Sequence, residues 1–145
     1  MKATQTILAF DYGTASIGVA AAQSLLNNCA SELRPIRARD GIPNWEEIRS
    51  LIDEWQPNIC LVGLPLNMDD SESDFAARAR KFANRLHGRF GVQVELVDER
   101  LSTAEAKEEA FERGHKGNFK KVPIDSIAAR LILEGWLHSN RQPKR

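Results

Sequence analysis

Three acidic positions, Asp11, Glu99 and Asp125, have the residue type and the settings that could hold a divalent cation. Asp11 ends the apolar run Thr6-Ile7-Leu8-Ala9-Phe10 and shares the alternating side of that strand with Ile7 and Ala9. Asp125 stands at i, with Ala128, Ala129 and Ile132 at i+3, i+4 and i+7, on one stripe of a helix. A charge on such a face is costly to bury unless something pairs with it. Mg²⁺ or Mn²⁺ is an economical partner, because hard cations take oxygen ligands and leave room for water and phosphate. Two such ions, roughly 3.5 to 4 Å apart, can activate a water and stabilise the leaving oxygen of a phosphodiester. That chemistry needs no Ser or His nucleophile, and the sequence offers no convincing nucleophile triad.

Each acid also has a plainer reading. Asp11-Tyr12-Gly13-Thr14 is equally a strand ending in a turn, and it is similar to the first phosphate loop of actin-like and sugar-kinase ATPases, which need two such lobes. Glu99 could pair with Arg100, and Asp125 could favour a helix dipole. Asp98 and Glu99 remain alternatives, because helices could cover both faces of their strand.

The elements that must position these acids follow from period and punctuation. Residues 6–10 and 16–22, broken at Asp11-Tyr12-Gly13, predict a hairpin, and residues 30–39 a third strand with an edge or bulge at Pro35. Asn44 predicts the cap of a helix carrying Trp45, Ile48, Leu51, Ile52 and Trp55, which Pro57 stops before a buried strand over Ile59–Leu64. Ser71 and Asp74 predict a capping box for a helix with a stripe of Phe75, Ala79, Phe82 and Leu86, ending near Gly88. A strand over Val92–Val97 and a helix from the Ser102/Glu105 box to about Gly114 come next. The last helix opens after Pro123 and runs to about His138. Strands that come first and then alternate with helices make an α/β fold with a mixed sheet.

At 145 residues and 42% hydrophobic, the chain suits one domain, taken as residues 1–140 with a basic tail over 141–145. No apolar run reaches the roughly 18 residues of a membrane span, and no secretory signal is visible, so a cytoplasmic protein without a membrane partner is expected. Cys29 and Cys60 are too few for a disulfide framework and read as reduced packing residues. Twenty Lys and Arg balance twenty Asp and Glu, yet Arg113–Arg145 holds eight bases against two acids. A second run, Arg78, Arg80, Lys81, Arg85 and Arg89, contains no acid; it reads as a solvated helix face or as a nucleic-acid track. The loop 114–121, with Lys116, Lys120 and Lys121, could clamp a phosphate backbone or simply be loose. His115 lies in that loop and is left out of the catalytic set, and the three Trp fall on helical stripes as core residues.

Four blocks carry a family resemblance: Phe10-Asp11-Tyr12-Gly13-Thr14 onward to Ala20, Val62-Gly63-Leu64-Pro65-Leu66-Asn67-Met68-Asp69, Asp98-Glu99-Arg100-Leu101-Ser102 onward to Ala106, and Asp125-Ser126-Ile127-Ala128-Ala129 through Leu133. In this order, over nearly the whole chain, the sequence resembles the YqgF family of Holliday-junction-resolvase-like nucleases. The resemblance implies a ribonuclease H-like fold of five strands, the first three antiparallel. It also implies a metal-dependent phosphodiesterase maturing the 5′ end of pre-16S ribosomal RNA. The family's acidic positions fall on Asp11, the Asp98-Glu99 pair and Asp125, with Glu99 preferred as catalytic and metal-binding residue. Asn67, Arg100, Lys116, Lys120 and Lys121 are the expected substrate contacts. Where the family often has a basic residue and a glycine, this chain has Ser16 and Asp70. Branched DNA cut by a resolvase, and RNA or ribosome-assembly binding without turnover, are the alternative readings; a monomer or weak homodimer is expected.

Overall fold

The structure is a computed structural model that describes residues 5–23, 30–65, 69, 71–98 and 124–141, with 124, 125 and 139–141 described by backbone alone. The predicted hairpin is β1 (Ile7–Asp11) and β2 (Ser16–Ala22), antiparallel, with Asp11 opposite Gly18. β3 (Ser31–Arg39) runs antiparallel to β2, and β5 (Ile59–Leu64) and β6 (Gln93–Asp98) extend the sheet in parallel on the other side of β1. A sixth strand, β4 (Ile42–Pro43), caps the edge, so the order is β4-β3-β2-β1-β5-β6.

The five-strand expectation is therefore corrected to six among the described residues. Two residues ending in proline leave no period to read. The available signal was Asp40-Gly41: Arg39 pairs with Ile42, and both residues between them have positive φ, 51° and 81°. That is the two-residue hairpin turn that Asp-Gly favours.

Helix α1 (Trp45–Trp55) begins where Asn44 Oδ1 accepts from the Glu46 N–H at 3.1 Å, as predicted, and ends on Gln56 in the left-handed region just before Pro57. For α2 (Asp74–Phe90) the capping box is displaced: Ser73 Oγ accepts from the Ala76 N–H at 3.2 Å. Ser71 cannot serve, because its hydroxyl and its N–H both donate to the Asp69 carboxylate, at 2.5 and 3.1 Å. Those two bonds hold the Asp69 carboxyl below its usual range. The helix runs past Gly88 to Phe90 and stops on Gly91, whose φ of 67° is the left-handed cap. The last helix, α3 (Ile124–Arg141), extends beyond His138. The helix predicted from Ser102 lies outside the described residues.

Two cores sandwich the sheet. Leu8, Phe10, Tyr12, Ile17, Val19, Cys60, Val62 and Leu64 face α1 and α2, meeting Ile48, Ala76, Ala79, Phe82 and Leu86. Ile7, Ala9, Ala20, Ala22, Ile59, Leu61 and Val97 face Ala129, Ile132, Leu133 and Leu137 of α3. Strands covered on both faces explain why β1 and β5 read as continuous apolar runs. Trp45, Trp55 and Trp136 pack against these cores as predicted, and Trp136 Nε1 donates to Glu95 Oε2 at 3.0 Å.

Cys60 is fully buried, and desolvation pushes its thiol up to about 12. Alkylation at pH 8 followed by peptide mapping should therefore modify Cys60 only after denaturation. Rapid modification of the native chain would contradict this packing. No described helix is long and apolar enough to cross a membrane.

Candidate active site

The bulge anticipated at Pro35 is present and shapes the site. Ile17 pairs with Ile36 and Val19 with Leu33, so Gly18 faces two residues, Arg34 and Pro35. Ser126, in the first turn of α3 and fully buried, plugs this irregularity. Its Oγ accepts from the Val19 N–H at 3.3 Å and its hydroxyl donates to the Leu33 carbonyl at 2.5 Å. One side chain thus ties the start of α3 to both strands. Arg130 adds an ion pair one turn on, its Nε 3.2 Å from Glu32 Oε2, though it makes no aligned hydrogen bond there.

The buried stripe of α3 is consequently Ser126, Ala129, Leu133 and Leu137 at its centre, flanked by Ile127 and Ile132. Of the predicted stripe, Ala129 and Ile132 are buried there as expected and Ala128 is half-buried, while the side chain of Asp125 lies outside the described residues. Asp125 stands in the backbone of that first turn, next to the pinned serine.

Asp11, half-buried at the end of β1, belongs by alternation to the face of Ile7 and Ala9, the α3 face. Gly18 is its direct partner on β2, and one step past the last β1–β5 pair, Phe10 with Val62, brings Gly63 beside it. The carboxylate is thus flanked on both neighbouring strands by residues that carry no side chain. Asp98 pairs with Leu64 at the same end of the sheet. Val94 and Leu96 pack on the α1/α2 side and Val97 on the α3 side, so alternation gives Asp98 the face away from Asp11.

The residue after Asp11 turns the other way. Tyr12, 6% exposed, donates its hydroxyl to the Gly41 carbonyl at 2.9 Å, and Gly41 N–H donates to the Thr14 carbonyl at 2.9 Å. Arg78 of α2 reaches the same turn, its Nη2 2.5 Å from the Asp40 carbonyl. Gly41 is required there twice over. Its φ is positive, and a Cβ would lie 2.1 Å from the Tyr12 hydroxyl and 2.6 Å from Arg78 Nη2. Gly13 is needed for closeness alone, since a Cβ would lie 2.3 Å from the Ser16 carbonyl oxygen. Gly41→Ala should cost about 2 kcal/mol in denaturant unfolding, combining backbone strain with displacement of Tyr12. An unchanged midpoint would mean that the turn adapts freely.

Of the predicted site residues, the structure brings the Asp11 strand end and the Asp125 backbone to one face. Glu99, Asn67, Arg100, Lys116, Lys120 and Lys121 lie outside the described residues. Among the described residues no group of three or more His, Cys, Asp or Glu side chains is placed to hold a metal ion. Sequence reasoning gave no role to Ser126, Gly18, Gly63 or Gly41, and it placed Arg78 only in the basic run of its helix. The only signal for the two sheet glycines was their place inside the quoted blocks.

Several known proteins are similar to this chain in sequence or in fold. A Saccharophagus degradans protein named "Putative pre-16S rRNA nuclease" is 59% identical over 133 residues, covering 92% of this chain and 93% of that one. An Aeromonas hydrophila protein of the same name is 54% identical over 134 residues, covering 92% and 95%. Among solved structures, Thermus thermophilus RuvC in complex with Holliday junction substrate superposes with a TM-score of 0.61 at 14% identity, covering 94% of this chain and 96% of that one. The Fowlpox virus resolvase in complex with Holliday junction DNA also gives 0.61, at 13% identity, covering 95% and 100%. Such distant likenesses establish the ribonuclease H-like fold, a curled mixed sheet between helices. Residues 5–139 match the family RuvX, described as Holliday junction resolvase, and with relatives this similar the chain belongs to that family.

Proposed function

We propose that this chain is a metal-dependent nuclease that hydrolyses phosphodiester bonds in structured RNA, acting at the 5′ end of pre-16S rRNA. The observation that carries the reading is the pairing of Asp11, flanked by Gly18 and Gly63, with a helix start that Ser126 pins over the same face. The names of the close relatives favour the rRNA precursor as substrate.

Asp11, Glu99 and Asp125 are the residues we assign to Mg²⁺ or Mn²⁺. The donor chemistry suits these ions: carboxylate oxygens carried on separate elements of the chain. Asp98 faces away from Asp11, which supports the odd-numbered acid beside it, Glu99, as the second ligand. Bound there, the ion would supply the charge that makes water nucleophilic at neutral pH and stabilises the leaving oxygen. The chain's own part is to hold like charges together without metal and to fix the start of the Asp125 helix through Ser126. Lys116, Lys120 and Lys121, with Asn67 and Arg100, are assigned to the substrate backbone.

The test incubates the pure chain with an RNA carrying the 5′ leader of pre-16S rRNA and, in parallel, a four-way DNA junction, under Mg²⁺, Mn²⁺ or chelator. Metal-dependent cutting of the RNA is the expected result. Cutting of the junction alone would transfer the assignment to branched DNA, and binding without cutting under every condition would make the chain an assembly factor.

A further inference from the structure

On the other side of β1 from Asp11, the β3–β4 turn and α2 enclose a cleft of about 270 Å³. Its floor is Tyr12, Trp45 and Phe82; Phe82 is 3% exposed and stacks on Trp45 with ring centroids 5.8 Å apart. Its outer wall is a row of bases, Arg78, Lys81 and Arg85, at i, i+3 and i+7 of α2 and therefore on one face. Arg78 is spoken for by the Asp40 carbonyl and lies 3.5 Å from the Asp40 carboxylate. Lys81 and Arg85 have no acidic partner among the described residues. By contrast Arg80, on another face of the helix, is paired with Glu72, and Arg89 stacks over the Trp45 ring at 4.3 Å.

Three cations against the single carboxylate of Asp40 give the cleft an excess of positive charge, held by low-dielectric aromatic walls that focus it. The volume is below the roughly 300–1,000 Å³ of pockets that enclose a drug-sized molecule, so it suits one group of a larger ligand. Tyr12 ties its position to the site: the residue lining the cleft is covalently next to Asp11. A strand crossing the C-terminal end of β1 can therefore meet both.

We propose that this cleft is a phosphate-binding subsite that grips the phosphodiester backbone of the nucleic acid away from the bond to be cut, through Lys81 and Arg85, with Arg78 fixing its wall. The subsite rests on the nuclease reading for the nature of its ligand, but its test does not depend on cleavage.

The experiment measures anisotropy of two fluorescein-labelled probes, a hairpin RNA with a single-stranded 5′ leader and a four-way DNA junction, in chelator across a salt series. Wild type is compared with Lys81→Ala/Arg85→Ala and with Arg80→Ala. Both altered lysine and arginine positions are exposed, so the double variant should keep the native circular dichroism spectrum. It should bind about tenfold more weakly at low salt, with the logarithmic salt slope reduced by about 1. Arg80→Ala should leave the slope unchanged. Loss with one probe alone would assign the subsite to that nucleic acid. An unchanged slope in the double variant overturns the proposal, as do an equal loss in Arg80→Ala, which would mean diffuse surface charge, and wild type binding neither probe. A reduced slope without metal-dependent cutting would retain the subsite and remove the nuclease; cutting with an unchanged slope would do the reverse.

Discussion

Asp11→Asn is expected to lower metal-dependent cleavage by about a thousandfold or more, because a charge contribution of several kcal/mol is removed where each 1.36 kcal/mol is tenfold in rate. The substitution is nearly isosteric, and Asp11 sits half-buried at a strand end whose two cross-strand neighbours are glycines, so the change in volume is small. Without metal the variant should fold as well as wild type, since one charge leaves a set of like charges. Added Mn²⁺ should raise the melting temperature of wild type and not of Asp11→Asn, because a ligand stabilises only the state that binds it. Cleavage at the wild-type rate would remove Asp11 from the site. Cleavage lost together with the fold would show instead that the carboxylate is structural.

For Ser126→Ala the expected loss is in stability, about 2–4 kcal/mol by denaturant unfolding. Two backbone groups, the buried Val19 N–H and the partly buried Leu33 C=O, lose their partner at once, and a buried group costs about 1–3 kcal/mol to leave unmet. The bulge offers no substitute, since Gly18 already faces two residues and Pro35 has no N–H to give. Cleavage should fall as well, because Asp125 is positioned through this residue. Ser126→Thr keeps the hydroxyl and should restore more of the stability than Ser126→Ala wherever its methyl fits. A variant with wild-type stability would mean that water or a shifted strand replaces the hydroxyl.

The residues that announced themselves in the sequence act through neighbours close in the chain. Asn44 with Pro57 framed α1, and the break at Asp11-Tyr12-Gly13 gave the hairpin. What escaped was built from distant pairs. Ser126 is an ordinary polar residue at a helix start until β2 and β3 present their unpaired groups to it. The cleft takes Tyr12, Gly41 and Arg78 from three segments, and no spacing joins them. The choice between Asp98 and Glu99 had to stay open because an amphipathic pattern does not say which helix covers which face. Once α3 is seen over Ile7, Ala9 and Val97, alternation separates the two sides. The acid-free run on α2 divided along the same lines: Arg80 and Arg78 found acids outside the run, while Lys81 and Arg85 did not.

The serine that closes the bulge reaches its strand across 107 positions of the chain. The β1–β2 hairpin can form early, since its pairing is local, whereas docking of α3 waits until the chain has been made past Ser126. Assembly order therefore acts as a safeguard: an unfinished or clipped chain can hold Asp11 in its strand, yet it lacks the helix that carries Asp125. On the proposed nuclease reading, cutting therefore waits for the segment that carries Ser126 and Asp125.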